Sequence, residues 1–225
     1  MSLRLVIFDV DGTLVDSQAH ILASMEGAFA AHGLAVPGRE AVLGVVGLSL
    51  PQAFARLVPE RGDLWEGLTA AYKDTFAGLR MSGDAAVLSP LFPGAEAVLR
   101  ALAERDDLLL GVATGKSKRG LDHLIDLHGW ARVFQTVQVA DFHPSKPHPS
   151  MVEACLAETG VAAGAAVMVG DTTFDIEMAR AAGIAALGVE WGYHPAEDLA
   201  AAGAARNLSR FDDLPEAIEE VWALA

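Results

Sequence analysis

The sequence predicts a doubly wound α/β fold, with a mainly parallel sheet and one small all-helical insertion after the first strand. Three observations lead there. Short apolar runs rich in β-formers recur at Leu5-Val6-Ile7-Phe8, Leu108-Leu109-Leu110-Gly111-Val112-Ala113, Ala166-Val167-Met168-Val169 and Ile184-Ala185-Ala186-Leu187-Gly188-Val189. Unbroken runs of that kind suit strands covered on both faces. Alanine-rich stretches with helical spacing, at 95–104, 120–128, 150–159 and 174–182, alternate with them. Residues 16–84 break this alternation, holding helical periodicity with no convincing strand. The expected architecture is therefore a Rossmann-like core of residues 1–15 and 85–225, with a helical domain of residues 16–84 inserted in it.

Within the insertion, Ile21, Leu22, Met25 and Phe29 make one apolar stripe. Phe54, Leu57 and Val58, then Leu64, Leu68, Tyr72 and Phe76, make others. Gly33 and Pro37-Gly38 interrupt the helices, and Ser82-Gly83-Asp84 through Pro90 and Pro93-Gly94 return the chain to the sheet. There is no internal repeat. The 225 residues are 52% hydrophobic and 20% charged, ample for a packed core. One cysteine, Cys155, excludes an internal disulfide and fits a reducing compartment. The N-terminal apolar run meets Asp9 and Asp11 too soon for a signal peptide or an anchor, so the expected location is the cytoplasm. Sixteen Lys and Arg against thirty Asp and Glu leave a net charge of −14. Such a surface repels nucleic-acid phosphates and anionic lipid, so neither a nucleic-acid nor a membrane partner is expected.

Chemistry gathers where the strands end, which is where open α/β sheets bind ligands. The first run enters Asp9-Val10-Asp11-Gly12-Thr13, two carboxylates two residues apart that point the same way in an extended chain. Crowded carboxylates repel, and a divalent cation or a shared proton relieves them. The second run enters Thr114-Gly115-Lys116-Ser117, a hydroxyl and a helix N-terminus able to receive an anion. In His143-Pro144-Ser145-Lys146-Pro147-His148-Pro149, three prolines stiffen the backbone around one lysine, a compact charge suited to phosphate. Val169-Gly170-Asp171-Thr172-Thr173-Phe174-Asp175 adds another acidic pair, four residues apart on one side of a helical turn. Each motif alone reads equally as a polar turn, a helix cap or a stiff surface crossover. Four in order at strand ends make a stronger case for one site.

Taken together, Asp9-Val10-Asp11-Gly12-Thr13, Thr114, Lys146 and Gly170-Asp171-Thr172-Thr173-Phe174-Asp175 resemble the signatures of the haloacid dehalogenase superfamily. The insertion resembles the helical cap of its phosphoglycolate phosphatase and β-phosphoglucomutase branch. The resemblance implies that Asp9 is a nucleophile forming an aspartyl-phosphate, and that Asp11 is first the acid for the leaving alcohol and then the base for water. It implies a Mg²⁺ ion on the Asp9 carboxylate, the Asp11 main-chain carbonyl and Asp171, with Asp175 beside it or reaching it through water. Thr114, Gly115 and Lys146 would hold the phosphoryl oxygens. Substrate contacts are sought at His20, in Gly44-Val45-Val46-Gly47-Leu48, at Arg56, Arg61 and Arg80, and at Lys116 and Arg119. A solvated surface charge is the better reading of Arg56, Arg61 and Arg80, and at least as good a reading of Lys116 and Arg119.

The expected function is thus Mg²⁺-dependent hydrolysis of a small phosphorylated metabolite, phosphoglycolate-like compounds first, by a monomer or homodimer. The alternatives are a β-phosphoglucomutase-like phosphosugar mutase, for which the insertion offers no convincing sugar-binding set, and a non-catalytic module that senses a phosphorylated ligand. Dehalogenation is disfavoured by Asp11, since a leaving halide needs no proton.

Overall fold

The computed structural model describes residues 3–81 and 89–223 of the chain. The expected boundary at 84/85 and most of the return segment from Ser82 lie outside the described residues. Six strands, β1 (Arg4–Phe8), β2 (Leu108–Thr114), β3 (Thr136–Val139), β4 (Ala166–Gly170), β5 (Ala185–Val189) and β6 (Arg206–Leu208), form one sheet in the order β3-β2-β1-β4-β5-β6. Every pairing is parallel. The four apolar runs are the four inner strands. The edge strands β3 and β6 were not expected from the sequence, being short and partly polar.

Between β1 and β2, the helices α1 (Gln18–Ala31), α2 (Arg39–Leu43), α3 (Leu50–Leu57) and α4 (Trp65–Leu79) form a layer of their own, and α5 (Ala95–Ala103) returns to the sheet. The remaining helices are α6 (Lys118–His128), α7 (Ser150–Thr159), α8 (Thr173–Ala181), α9 (Ala196–Ala202) and α10 (Leu214–Ala223). Successive strand residues face opposite sides of the sheet, so the core divides in two. Val6, Phe8, Leu110, Val112, Val167 and Val169 pack with α5, α6 and α10 on one face. Leu5, Ile7, Ala113 and Met168 pack with α7, α8 and α9 on the other, where Cys155 is fully buried. A third cluster, Ile21, Met25, Phe29, Val42, Phe54, Leu68 and Tyr72, unites the stripes of the helical layer. Among the described residues no helix is long and apolar enough to cross a membrane.

The strand order runs outward from β1 through β2 on one side and through β4 on the other. A crevice opens where the direction reverses, beyond the carboxyl ends of β1 and β4.

Candidate active site

The register pairs Phe8 with Val112 on β2 and with Val169 on β4, so the residues that follow these strands emerge at one level. Asp9 is anchored there by its backbone, whose N–H donates to the Val169 carbonyl at 3.0 Å. Its side chain is 1% exposed, and neither carboxylate oxygen accepts a hydrogen bond. Lys146 Nζ stands 2.9 Å from Asp9 Oδ1, an ionic contact off the hydrogen-bonding direction. The same ammonium donates to Asp175 Oδ1 at 2.6 Å, and its side chain is fully buried. The other Asp175 oxygen accepts from the Thr172 N–H at 3.0 Å and the Thr172 hydroxyl at 2.8 Å, a capping box at the start of α8. Both oxygens of Asp175 are therefore engaged in aiming Lys146 and capping the helix.

Asp171 Oδ1 accepts from the Thr13 hydroxyl at 2.9 Å, and Oδ2 from the Tyr193 N–H at 2.9 Å. Backbone from two distant parts of the chain closes on it. A Cβ added at Gly12, where φ is +90°, or at Gly192 would fall on the Asp171 carboxylate, so both positions must lack a side chain. One carboxylate oxygen from each of Asp9, Asp171 and Asp175 lies within 4.8 Å of the others. With Asp9 held only by its ionic contact to Lys146 and Asp171 retaining spare lone pairs, this hard-oxygen cluster fits a divalent cation such as Mg²⁺.

Asp11 lies nearer the surface, where Lys116 Nζ donates to both its oxygens at 2.8 Å and the Ser17 hydroxyl donates to one. Asp9, Asp11, Thr114, Gly115 and Lys116 line a cavity of about 280 Å³. The helical layer supplies most of the remaining lining, including Ile21, Met25, Val42, Val46, Tyr72 and Phe76.

The family model for haloacid dehalogenase-like hydrolases matches residues 6–189. The chain belongs to this family. Among relatives of this hydrolase, "Probable phosphatase IndB" of Dickeya dadantii is 36% identical over 88% of the chain and 86% of its own length. The phosphoglycolate phosphatase of Rhodospirillum rubrum is 33% identical over 93% and 87%. A haloacid dehalogenase-like hydrolase from Streptococcus pneumoniae superposes with a TM-score of 0.82 at 22% identity, covering 96% of this chain and 98% of that one. A hydrolase from Pseudomonas syringae superposes with 0.83 at 22% identity over the same shares.

The structure of the hydrolase sorts the remaining sequence candidates. Lys116, which read at least as well as a surface charge, has a side chain 8% exposed against Asp11, with its ammonium 4.9 Å from the centre of the Phe76 ring. His20 does not line the cavity. It is buried behind it, stacked on Phe76 at 3.6 Å, with one ring nitrogen 3.1 Å from the Phe76 carbonyl. Burial lowers its pKa, which opposes a charged role. Arg56 is exposed outside the cavity and lies over the Phe174 ring at 4.8 Å. Arg61 pairs with Asp63 in solvent. Arg80 and Arg119 line the cavity, Arg119 being exposed. Val45, Val46, Gly47 and Leu48 also line it, and a Cβ on Gly115 would meet the Gly47 carbonyl at 2.5 Å, so close approach of the helical layer requires that glycine.

Sequence reading gave no role to Thr13 and Thr172, though both stand within its motifs, and missed Ser17, Tyr193 and Gly192. It also passed over Ser145, whose hydroxyl accepts from the Ser49 N–H at 2.8 Å and so joins the helical layer to the loop of Lys146. His143 braces that loop between Ser150 at 2.8 Å and Gln138 at 2.9 Å.

Burial pushes the Asp9 carboxyl from 3.8 up to about 7, with Lys146 opposing and Asp175 reinforcing. Burial and the negative charges of Asp175 and Asp9 also raise Asp171. A carboxyl raised in the folded state stabilises the fold most below its unfolded value, and that contribution is lost as pH rises through the folded one. For Asp9 the window runs from 3.8 to about 7. Metal-free hydrolase is therefore expected to lose this contribution across the window, and Mg²⁺ to raise Tm more at about pH 8 than at about pH 5. Thermal melts with and without Mg²⁺ check this, and an equal rise at both pH values contradicts it.

Proposed function

We propose that this protein is a Mg²⁺-dependent phosphomonoester hydrolase working through an aspartyl-phosphate on Asp9. The observation that carries the reading is Asp9 itself, on the lining of a cavity, with two buried oxygens that accept no hydrogen bond, beside a fully buried lysine. A carboxylate at a ligand cavity whose only partner is one ammonium, with its second oxygen unengaged, is available to a nucleophile's role. Asp9 attacks phosphorus, and the bond from phosphorus to the ester oxygen breaks. Asp11 gives that oxygen a proton, then takes one from the water that attacks the acyl phosphate, releasing inorganic phosphate and restoring Asp9. Lys146 stands beside Asp9 and offers positive charge to the phosphoryl oxygens, with the Thr114 hydroxyl and the Gly115 backbone. Asp175 keeps Lys146 aimed. A Mg²⁺ ion would be held by Asp9, Asp171 and the Asp11 main-chain carbonyl, and when bound it neutralises charge on the phosphoryl group.

In this reading residues 16–84 are a cap that excludes bulk water and contacts the leaving group. The substrate is a small phosphorylated metabolite met in the cytoplasm by a monomer or homodimer, and the names of the relatives make phosphoglycolate the first compound to assay. Phosphate release from p-nitrophenyl phosphate with Mg²⁺ tests the reaction class. EDTA is expected to lower the rate at least about a hundredfold and added Mg²⁺ to restore it. Undiminished turnover in EDTA would count against a metal-dependent mechanism.

A further inference from the structure

The lining that the helical layer gives the cavity is largely apolar, and that bears on what the phosphoryl group is attached to. Ile21, Met25, Val42 and Tyr72 are themselves buried in the helical layer yet border the cavity, together with Val46 and Phe76. Among the described residues four cations line it, and none projects a free charge onto these apolar residues. The Lys116 ammonium is engaged by both oxygens of Asp11, and Lys73 and Arg119 are exposed. Arg80, the remaining cation on the lining, points a guanidinium nitrogen toward the Arg119 carbonyl at 3.5 Å.

A carboxylate placed against the apolar residues would lose its hydration and would have to draw Lys116 from Asp11 or turn in Lys73, Arg80 or Arg119 from their present positions. Apolar groups gain from the same surroundings. Size points the same way. An apolar cavity of about 150 Å³ accepts a benzene ring, and this one, at about 280 Å³, has room for a ring as well as a phosphoryl group. Phosphoglycolate would leave much of it unfilled.

Resting on the phosphatase reading above, we propose that the preferred substrate is the phosphomonoester of an apolar, ring-bearing alcohol, whose ring lies against Ile21, Met25, Val42, Val46, Tyr72 and Phe76. A phosphorylated hydroxy acid is the poorer substrate. The wall acts through contact area, so it selects by hydrophobic size and not by a directed hydrogen bond.

Benzyl phosphate, ethyl phosphate and phosphoglycolate are esters of primary alcohols and separate wall contacts from leaving-group reactivity. With Mg²⁺, kcat/KM for benzyl phosphate is expected to exceed that for each of the others at least about tenfold. Benzylphosphonate is expected to inhibit at least about tenfold more tightly than methylphosphonate, a comparison that needs no variant. Val46→Asn is expected to cut the benzyl-to-ethyl ratio about tenfold. Phosphoglycolate matching or exceeding benzyl phosphate overturns this inference and leaves the phosphatase reading standing. Equal inhibition by the two phosphonates, or a ratio unmoved in Val46→Asn, also overturns it. Release of phosphate from none of the three esters overturns both readings.

Discussion

Asp9→Asn is expected to abolish turnover, lowering kcat by on the order of 10⁴-fold or more while leaving a folded protein. The amide keeps the shape of the side chain and the backbone bond from Asp9 N–H to Val169, so the end of β1 is undisturbed. What it removes is the anionic oxygen that would attack phosphorus. It also relieves charge crowding around Asp171 and Asp175, so the melting temperature should hold or rise in metal-free buffer. Loss of activity with retained stability is the signature of a group kept for chemistry at some cost to the fold. Phosphate release and a thermal melt on the same preparation test it, and an Asp9→Asn protein with wild-type rates would remove Asp9 from the mechanism.

Lys146→Met should fail in the other direction, losing stability as well as activity. Asp9, Asp171 and Asp175 are all buried, and the Lys146 ammonium touches two of them while itself out of solvent. Deleting one partner of a buried ionic cluster costs about 3–5 kcal/mol, since the remaining charge has neither water nor a counterion. The deficit should shrink toward acid, because the Asp9 carboxyl, already pushed up to about 7, can protonate and shed its charge. Denaturant midpoints at about pH 5 and about pH 8 give the comparison, with an unchanged m-value assuring that the same transition is followed. A variant as stable as the parent at the higher pH would mean that the lysine does not hold the carboxylates together.

The inner strands were legible because burial on both faces leaves an unbroken apolar run, as Leu5 to Phe8 illustrates. The edge strands β3 and β6 carry no such run. Thr136-Val137-Gln138-Val139 mixes polar with apolar residues, and Arg206-Asn207-Leu208 is three residues long, so pairing with a neighbour decides them and composition does not. Asp9 and Asp171 could be read because each directly follows a legible strand, and parallel strands end together, whereas Lys146 was marked by the prolines that surround it. Lys116 was a candidate, but its burial and its pairing could not be read, since its partner Asp11 lies more than a hundred positions away and nothing local separates a buried lysine from a solvated one. His20 illustrates the reverse problem: its place near the insertion's start drew notice, yet its ring is consumed by stacking on Phe76. Tyr193 acts on Asp171 through its main-chain N–H, a contribution indifferent to side-chain identity and hence silent in a sequence.

Gly12 and Gly192 give Asp171 its place by omission. An aspartate usually chooses among rotamers, and its neighbours merely bias the choice. Here two backbone segments occupy the surrounding space so fully that neither could carry even a methyl group without displacing the carboxylate. The orientation is thus stored in the path of the main chain. A substitution elsewhere on the cavity lining leaves those two backbone segments, and with them the position of this oxygen pair, in place.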